Sequence, residues 1–239
     1  MRTLLLPILL LLQIQAFAQE EIKIRKKDRK KDIMMVTDSG TLILRLSDST
    51  PLHRDNFIRL VKKGFYDSIA FHRVIKNFMI QAGNPQTRRR DSADDVGYTI
   101  PAEIRTSLFH KKGALAAARM GDNVNPEKKS SGSQFYIVQG KVFTPQGLDS
   151  VELFRLKGRK LPLEHRQVYQ SLGGAPHLDQ NYTVFGEVVK GLEVVDKIAG
   201  TKTTGREGAD KPITDIRIIE VKLVKRSQNS KVKSQNTNS

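Results

Sequence analysis

The apolar residues of this chain come in short bursts, and that pattern limits what it can fold into. Ile33 to Val36, Thr41 to Leu46, Ile69 to Ile75, Phe78 to Gln81, Gly113 to Arg119, Ser133 to Val138, Tyr182 to Val188 and Ile213 to Val224 are short runs, most of them rich in β-branched and aromatic residues, with turn-forming residues between them. Such runs read as strands. Asp38-Ser39-Gly40 makes a hairpin of the first two, and Lys76-Asn77 joins the third and fourth tightly. Helical patterning is confined to a few places. Ser49 or Thr50 can cap a helix with Pro51 in its first turn, Phe57, Leu60 and Val61 as its stripe and Gly64 as its stop; Leu192 to Ile198 forms a shorter one. No internal repeat is visible. Many short strands with few core helices predict a β-barrel.

The rhythm breaks between Lys141 and Pro176. Thr144-Pro145 opens a helical pattern with Leu148, Val151 and Phe154 that ends at Gly158; Pro162 opens another with Val168, Tyr169 and Leu172 that ends at Gly173-Gly174. The expectation is a helical hairpin inserted between two strands, to cover a barrel edge, shape a site or recruit a partner.

Hydrophobic residues make up 38% of the 239, few for one domain of this length, which places some segments outside the core. Met1 to Ala18 has the anatomy of a cleavable export signal: Arg2, then the apolar Leu4 to Leu12, then Ala16-Phe17-Ala18. Its apolar run is too short and too interrupted to span a bilayer. Residues 19–32 read as a charged linker, 33–225 as the domain, and 226–239 as a disordered basic tail. Export means the periplasm in a Gram-negative cell and secretion otherwise.

The chain has no cysteine, which excludes disulfides, thiolate chemistry and Cys-based zinc sites. Its 41 Lys+Arg against 25 Asp+Glu leave a net charge of +16, concentrated in Lys23 to Lys31, Arg88-Arg89-Arg90 and Lys222 to Lys233. Such runs are ordinarily solvated faces or tails. Weak contact with anionic envelope surfaces fits them, and no nucleic-acid partner is expected of an exported protein.

Four blocks then stand in order. The first is Phe71-His72-Arg73-Val74-Ile75-Lys76-Asn77-Phe78-Met79-Ile80-Gln81-Ala82-Gly83-Asn84-Pro85; the second and third are Gly113 to Arg119 and Ser131-Gly132-Ser133-Gln134-Phe135-Tyr136-Ile137; the fourth is His177-Leu178-Asp179-Gln180-Asn181-Tyr182 through Val188. Together they resemble the signature of the cyclophilin-type peptidyl-prolyl cis-trans isomerases, from about Met35 to Leu223. The resemblance implies a closed eight-stranded antiparallel barrel capped by two helices, with a substrate groove on its outer wall. It makes Arg73 the catalytic residue, with His72 beside it. Phe78, Met79, Tyr136 and Leu178 match the pocket for the proline ring, Tyr136 standing where many members have Phe. Gln81, Ala118, Arg119 and Gln134 match positions that hold substrate backbone, while Tyr182 occupies a position that is often His and His177 one that is often Trp.

The chemistry this implies follows from the amide. Rotation about an X-Pro bond breaks resonance against a barrier of roughly 18–20 kcal/mol, and no covalent bond changes. No nucleophile, metal or cofactor is therefore needed, only a surface that binds the twisted amide better than the planar forms. Twisting returns a lone pair to the prolyl nitrogen, and a permanently charged guanidinium can donate to it. Gln81 would orient Arg73 or hold the neighbouring carbonyl, and an apolar wall would strengthen the arginine's hydrogen bond. Alone, Arg73 would read as an ordinary surface charge of a strand, and Phe78 and Met79 as core; the motif is what singles them out. His72, His110 and His177 lack metal-ligand spacing, and Ser131-Gly132-Ser133 is not a nucleophile elbow.

The expected activity is isomerisation of X-Pro bonds in unfolded or partly folded exported polypeptides, by a monomer. The alternative is a cyclophilin-fold binding module or holdase with little isomerase activity, and a third reading has the basic tails tether the protein to anionic lipid or polysaccharide. Lys76, Ala82 and Asn84 replace Pro, Gly and Asp of many relatives, and Lys76 with Arg119 would make the groove's rim basic, favouring acidic residues beside the proline. Because many eukaryotic members carry at position 177 a Trp associated with cyclosporin binding, His177 predicts weak sensitivity to that drug: a proline-isomerisation assay should show no inhibition at nanomolar concentrations.

Overall fold

The computed structural model describes residues 22–88 and 96–226. The signal segment, Arg89 and Arg90 of the arginine knot, and the tail beyond Arg226 lie outside the described residues. The opening hairpin forms as expected from β1 (Lys31–Thr37) and β2 (Gly40–Leu46). Ile33 faces Leu44 and Met35 faces Leu42, all four fully buried, while Thr37 Oγ1 donates to the Gly40 carbonyl at 2.7 Å and closes the turn. Period-two alternation puts these four on one side of the sheet, and that side becomes the core.

The other main strands are β3 (Arg73–Ile75), β4 (Met79–Ala82), β6 (Ala114–Ala117), β8 (Phe135–Val138), β9 (Val184–Lys190) and β10 (Ile218–Lys225); β5 (Thr99–Ile100) and β7 (Ser130–Ser131) pair separately. The eight-stranded sheet runs β10-β1-β2-β9-β6-β8-β4-β3, antiparallel throughout. It curls until its edges approach, yet the ladder stays open between β3 and β10, so a fully closed barrel overstates it. The seam has one isolated bridge, Ala70 to Arg217, and three backbone hydrogen bonds: Ser68 N to Ile218 O, Ile218 N to Ile69 O and Phe71 N to Ile216 O. The cause is local. Ser68 is left-handed (φ 66°), and the loop before β10 occupies the edge of β3, where Val74 donates its amide to the Asp210 carbonyl at 2.9 Å.

The core is sealed by α1 (Pro51–Lys62) and α4 (Leu192–Ala199), which bury Phe57, Ile58, Leu60 and Val61 on one side and Val194, Val195 and Ile198 on the other. The cap of α1 differs from expectation. Thr50 is the N-cap residue, but its side chain makes no capping bond and its buried hydroxyl has no partner. Instead the buried Glu103 carboxylate accepts from the amides of Leu52 (3.2 Å) and His53 (3.0 Å) and contacts His53 Nδ1 at 2.8 Å. A carboxylate there satisfies orphan amides and complements the helix dipole.

Part of the charged segment read as a linker belongs to the domain. Asp28–Lys30 form a 3-10 turn, β1 begins at Lys31, and Asp28 and Asp32 are both buried. Asp32 takes two bonds from Arg45 (2.9 and 2.8 Å), while Lys62 lies 3.2 Å from Asp28. Pairing with cations makes their burial tolerable.

The insertion is helical as expected. α2 (Pro145–Ser150), with Thr144 Oγ1 accepting from Gly147 N at 3.0 Å, continues into a π-helical turn at Val151–Arg155, and α3 (Leu163–Ser171) returns. Leu148, Leu156, Leu161 and Tyr169 form its own small core. The π turn corrects one expectation: Phe154, assigned to the apolar stripe, is 75% exposed, and Leu156 is buried instead. One extra residue per turn rotates the stripe past Phe154. Buried Glu152 ties the two arms by bonding Arg166 Nη1 (2.6 Å), Lys160 Nζ (2.9 Å) and the Leu161 amide (3.1 Å). At its base Gly174 bridges to both Lys111 and Lys141, and a Cβ there would lie 2.3 Å from the His110 carbonyl.

Replacing Glu103 by Ala strips two helix-terminal amides of their acceptor and should destabilise the fold by about 2 kcal/mol. Thr50→Val, which removes only an unpartnered hydroxyl, should be neutral or stabilising. Urea unfolding midpoints of the two variants check both.

Candidate active site

Strand register builds the site's wall. Arg73 pairs with Gln81, Gln81 with Tyr136 and Tyr136 with Ala116, a row across four strands on the outer face. The next outer row is Ile75, Met79 and Val138, while the row between, Val74, Ile80, Ile137 and Leu115, points into the core. Met79 and Gln81 thus share the outer face while Ile80 fills the interior.

Three loops supply the remaining residues. Phe78 ends the tight turn after Asn77 (φ 63°), which is held by Gln139 Oε1 accepting from Asn77 N at 2.6 Å. Ala118 and Arg119 follow β6. Leu178 comes from a 3-10 turn, Pro176–Leu178, and Tyr182 precedes β9. The result is a cavity of about 160 Å³ lined by Arg73, Phe78, Met79, Gln81, Ala118, Arg119, Tyr136, Leu178 and Tyr182. Nine of the twelve site residues expected from the sequence therefore line one cavity.

The other three lie around it. Gln134 accepts from Gln81 Nε2 at 3.3 Å. This closeness needs Gly83, which is left-handed (φ 94°) and whose Cβ would lie 2.3 Å from the Ser133 carbonyl. His177 lies against Phe78, ring centroids 5.3 Å apart. His72 does not line the cavity; its half-buried ring has an unpartnered Nδ1. Burial, followed by the charge of Arg73, lowers the His72 pKa to about 4. Burial and then Arg155 do the same to His177, also to about 4. Neither ring is charged at neutral pH.

The two arginines are disposed differently. Arg73 is 44% exposed, with Asp210, a residue the sequence reading did not single out, 3.6 Å from its Nε. Arg119 is only 4% exposed and its Nε and Nη1 donors are occupied: Nε gives to the Asn181 carbonyl at 2.8 Å, Nη1 to Met120 O and to Asp122 at 2.7 Å, and its plane covers Tyr182 at 4.5 Å. It braces the loop that carries Tyr182 and, paired with Asp122, adds little net charge to the rim.

Behind the cavity floor lies a polar chain that sequence reasoning missed. Tyr136 Oη is 2.9 Å from His110 Nε2, and His110 Nδ1 is 2.9 Å from Asp179 Oδ1, which also accepts the His110 amide at 2.9 Å. Asp179 Oδ2 accepts from Tyr169 Oη of α3 at 2.7 Å. All four side chains are buried. With Nδ1–H donated to Asp179, Nε2 is the ring nitrogen left to accept from the Tyr136 hydroxyl. Burial, then Tyr182 and Asp179, push the Tyr136 phenol well above its ordinary range; burial and Asp179 do the same to Tyr169, so both remain neutral donors. The available signal was Tyr136 itself, since a buried phenol requires a partner.

Deleting the shared acceptor should cost most. Asp179→Ala removes the acceptor of three hydrogen bonds and is expected to destabilise the fold by about 3 kcal/mol, against about 1 kcal/mol for Tyr136→Phe. Urea denaturation of both variants and the double variant, with a sum that is less than additive, reads the coupling.

Known proteins resemble this chain in sequence and in fold. Residues 33–223 match the family model described as cyclophilin type peptidyl-prolyl cis-trans isomerase/CLD. A Staphylococcus epidermidis protein provisionally named a peptidyl-prolyl cis-trans isomerase is 34% identical over 195 residues, covering 81% of this chain and 91% of that one. A Staphylococcus aureus protein with the same name is 36% identical over 189 residues, 79% of this chain and 88% of that one. Among solved structures, a Cryptosporidium parvum cyclophilin type peptidyl-prolyl cis-trans isomerase superposes with a TM-score of 0.60 at 22% identity, over 82% of this chain and 99% of that one. The same C. parvum protein solved in the presence of the dipeptide Ala-Pro gives 0.59. At that identity the structural likeness speaks for the fold; the match across the domain and the curated relatives establish that this chain belongs to the cyclophilin-type peptidyl-prolyl cis-trans isomerase family.

Proposed function

We propose that this protein catalyses cis-trans isomerisation of X-Pro bonds in exported polypeptides, with Arg73 as the residue that lowers the barrier. One observation carries the reading: a half-exposed guanidinium at the mouth of a small cavity walled by Phe78, Met79, Tyr136 and Leu178. The apolar wall takes the proline ring and holds it while the peptide on the other side of the bond turns. As the amide leaves planarity, its nitrogen becomes a hydrogen-bond acceptor, which it is not in either planar isomer. A donor fixed beside that nitrogen stabilises the transition state selectively.

The surroundings suit Arg73 to this task. Asp210 beside Nε steadies the side chain, and Gln81, on the adjacent strand and bonded to Gln134, offers an amide for a substrate carbonyl. His72 and His177, neutral at pH 7, are poor proton donors there, and the reaction requires no proton transfer. The exported setting rests on the residues at 1–18 alone.

Arg73→Ala should lower kcat/KM on a short X-Pro peptide at least tenfold, or about 1.4 kcal/mol of barrier, with an unchanged circular dichroism spectrum. Arg73→Lys should not restore the rate, because an ammonium lacks the planar fork. A protease-coupled or NMR-exchange assay decides. Wild type that binds the peptide without turnover would instead identify a binding module on this fold, and unchanged turnover in Arg73→Ala would remove the mechanism.

A further inference from the structure

The insertion reaches the groove. Its π-helical turn packs against the Pro176–Leu178 turn that carries His177 and Leu178, and between them opens a second cavity of about 620 Å³. That cavity shares Arg119, Leu178 and Tyr182 with the first, so the two adjoin. Its lining includes five cations, Arg119, Lys128, Arg155, Lys157 and Arg159, against one anion, Asp122.

Three of those cations already have partners. Arg119 pairs with Asp122, Lys128 Nζ donates to Asn181 Oδ1 at 2.7 Å, and Arg159 donates to the Asp179 carbonyl at 2.7 Å. Arg155 and Lys157 are exposed and, among the described residues, form no ion pair. Five cations with a single counter-charge, Asp122, repel one another, and an anion entering the cavity relieves that repulsion as it binds.

We propose that this cavity is a subsite for an acidic side chain, Asp or Glu, of the same polypeptide whose proline occupies the adjoining cavity. The proposal rests on the isomerase reading for the proline and adds the residue that sets preference around it. It moves the source of acidic selectivity away from the place the sequence indicated. Lys76 lines neither cavity and Arg119 is paired with Asp122. Of the four remaining cations, Lys128 and Arg159 are held by neutral oxygens, and Arg155 and Lys157, both from the insertion, are the exposed ones free to turn toward a ligand. The ligand is a peptide carboxylate rather than a free polyanion because Leu178 and Tyr182 wall both cavities, which places the cationic one beside any chain anchored by its proline.

The test uses fluorescent peptides with one proline and Glu, Gln or Lys scanned through the positions on either side. The full chain is compared with an Arg155→Glu/Lys157→Glu variant, both residues lying outside the proline cavity. Turnover gives kcat/KM, and fluorescence polarisation gives affinity independently of catalysis. Glu in at least one position should be favoured over Gln about fivefold at low ionic strength, falling below about twofold in roughly 0.5 M salt. The double variant should lose or invert the preference while handling the Gln peptide as wild type does. No Glu preference at any position in wild type, or an equal preference in the double variant, overturns the proposal. Failure of wild type to turn over even the Gln peptide would refute the isomerase reading instead, with polarisation still deciding the subsite.

Discussion

The site depends on one constraint: β3, β4, β8 and β6 carry apolar side chains on both faces. Period two sends Val74, Ile80, Ile137 and Leu115 inward, where the curl of the sheet buries them. It sends Ile75, Met79, Tyr136 and Ala116 outward, where nothing in the barrel can cover them. An outer apolar row has to be covered by other parts of the chain or left open to a ligand. Both happen here. Leu178, Tyr182 and the Pro176–Leu178 turn cover part of that row, and the uncovered remainder is the cavity beneath Arg73.

That covering has to be held at a fixed height, which the buried polar chain achieves. Asp179 immediately follows Leu178, so the anchor that binds His110 also places Leu178 over Met79 and Tyr136. Through Tyr169 the same carboxylate engages the insertion. A carboxylate so deep is tolerable only because its oxygens accept from an amide, an imidazole and a phenol. The wall of the cavity beside Arg73, the turn above it and the inserted helices are therefore set by one acceptor.

What could be read from the sequence follows the range of each interaction. The strands, the hairpin and the two capping helices have local signals, and the ordered blocks around Arg73, Gln134 and Leu178 bring the site residues together because strand register is itself local alternation carried across neighbours. What escaped is long-range or depends on small helical departures. Glu103 caps a helix about fifty positions earlier in the chain, and no cap motif encodes that. Asp28 and Asp32 sit in a charge run that reads as solvated, because nothing local says that Lys62 and Arg45 will meet them. Phe154 falls outside the insertion's core because one π turn shifts the period by a residue, a change invisible to a 3.6-residue template.

On the proposed mechanism, the insertion would separate catalysis from recognition. A donor to the prolyl nitrogen acts only as the amide twists, so Arg73 in the proposed role would gain nothing from a particular neighbouring side chain. Charges at Arg155 and Lys157 would act equally on the planar and twisted forms, because the side chain they are proposed to attract lies away from the rotating bond. Interactions uniform across ground and transition states lower KM and leave kcat alone. On this reading the barrel would keep one chemistry while the inserted hairpin, braced on Asp179 and pinned at Gly174, would change which chains it acts on. Variation in the insertion's basic residues should alter selectivity without touching the barrier, whereas variation in the row from Arg73 to Tyr136 should do the reverse.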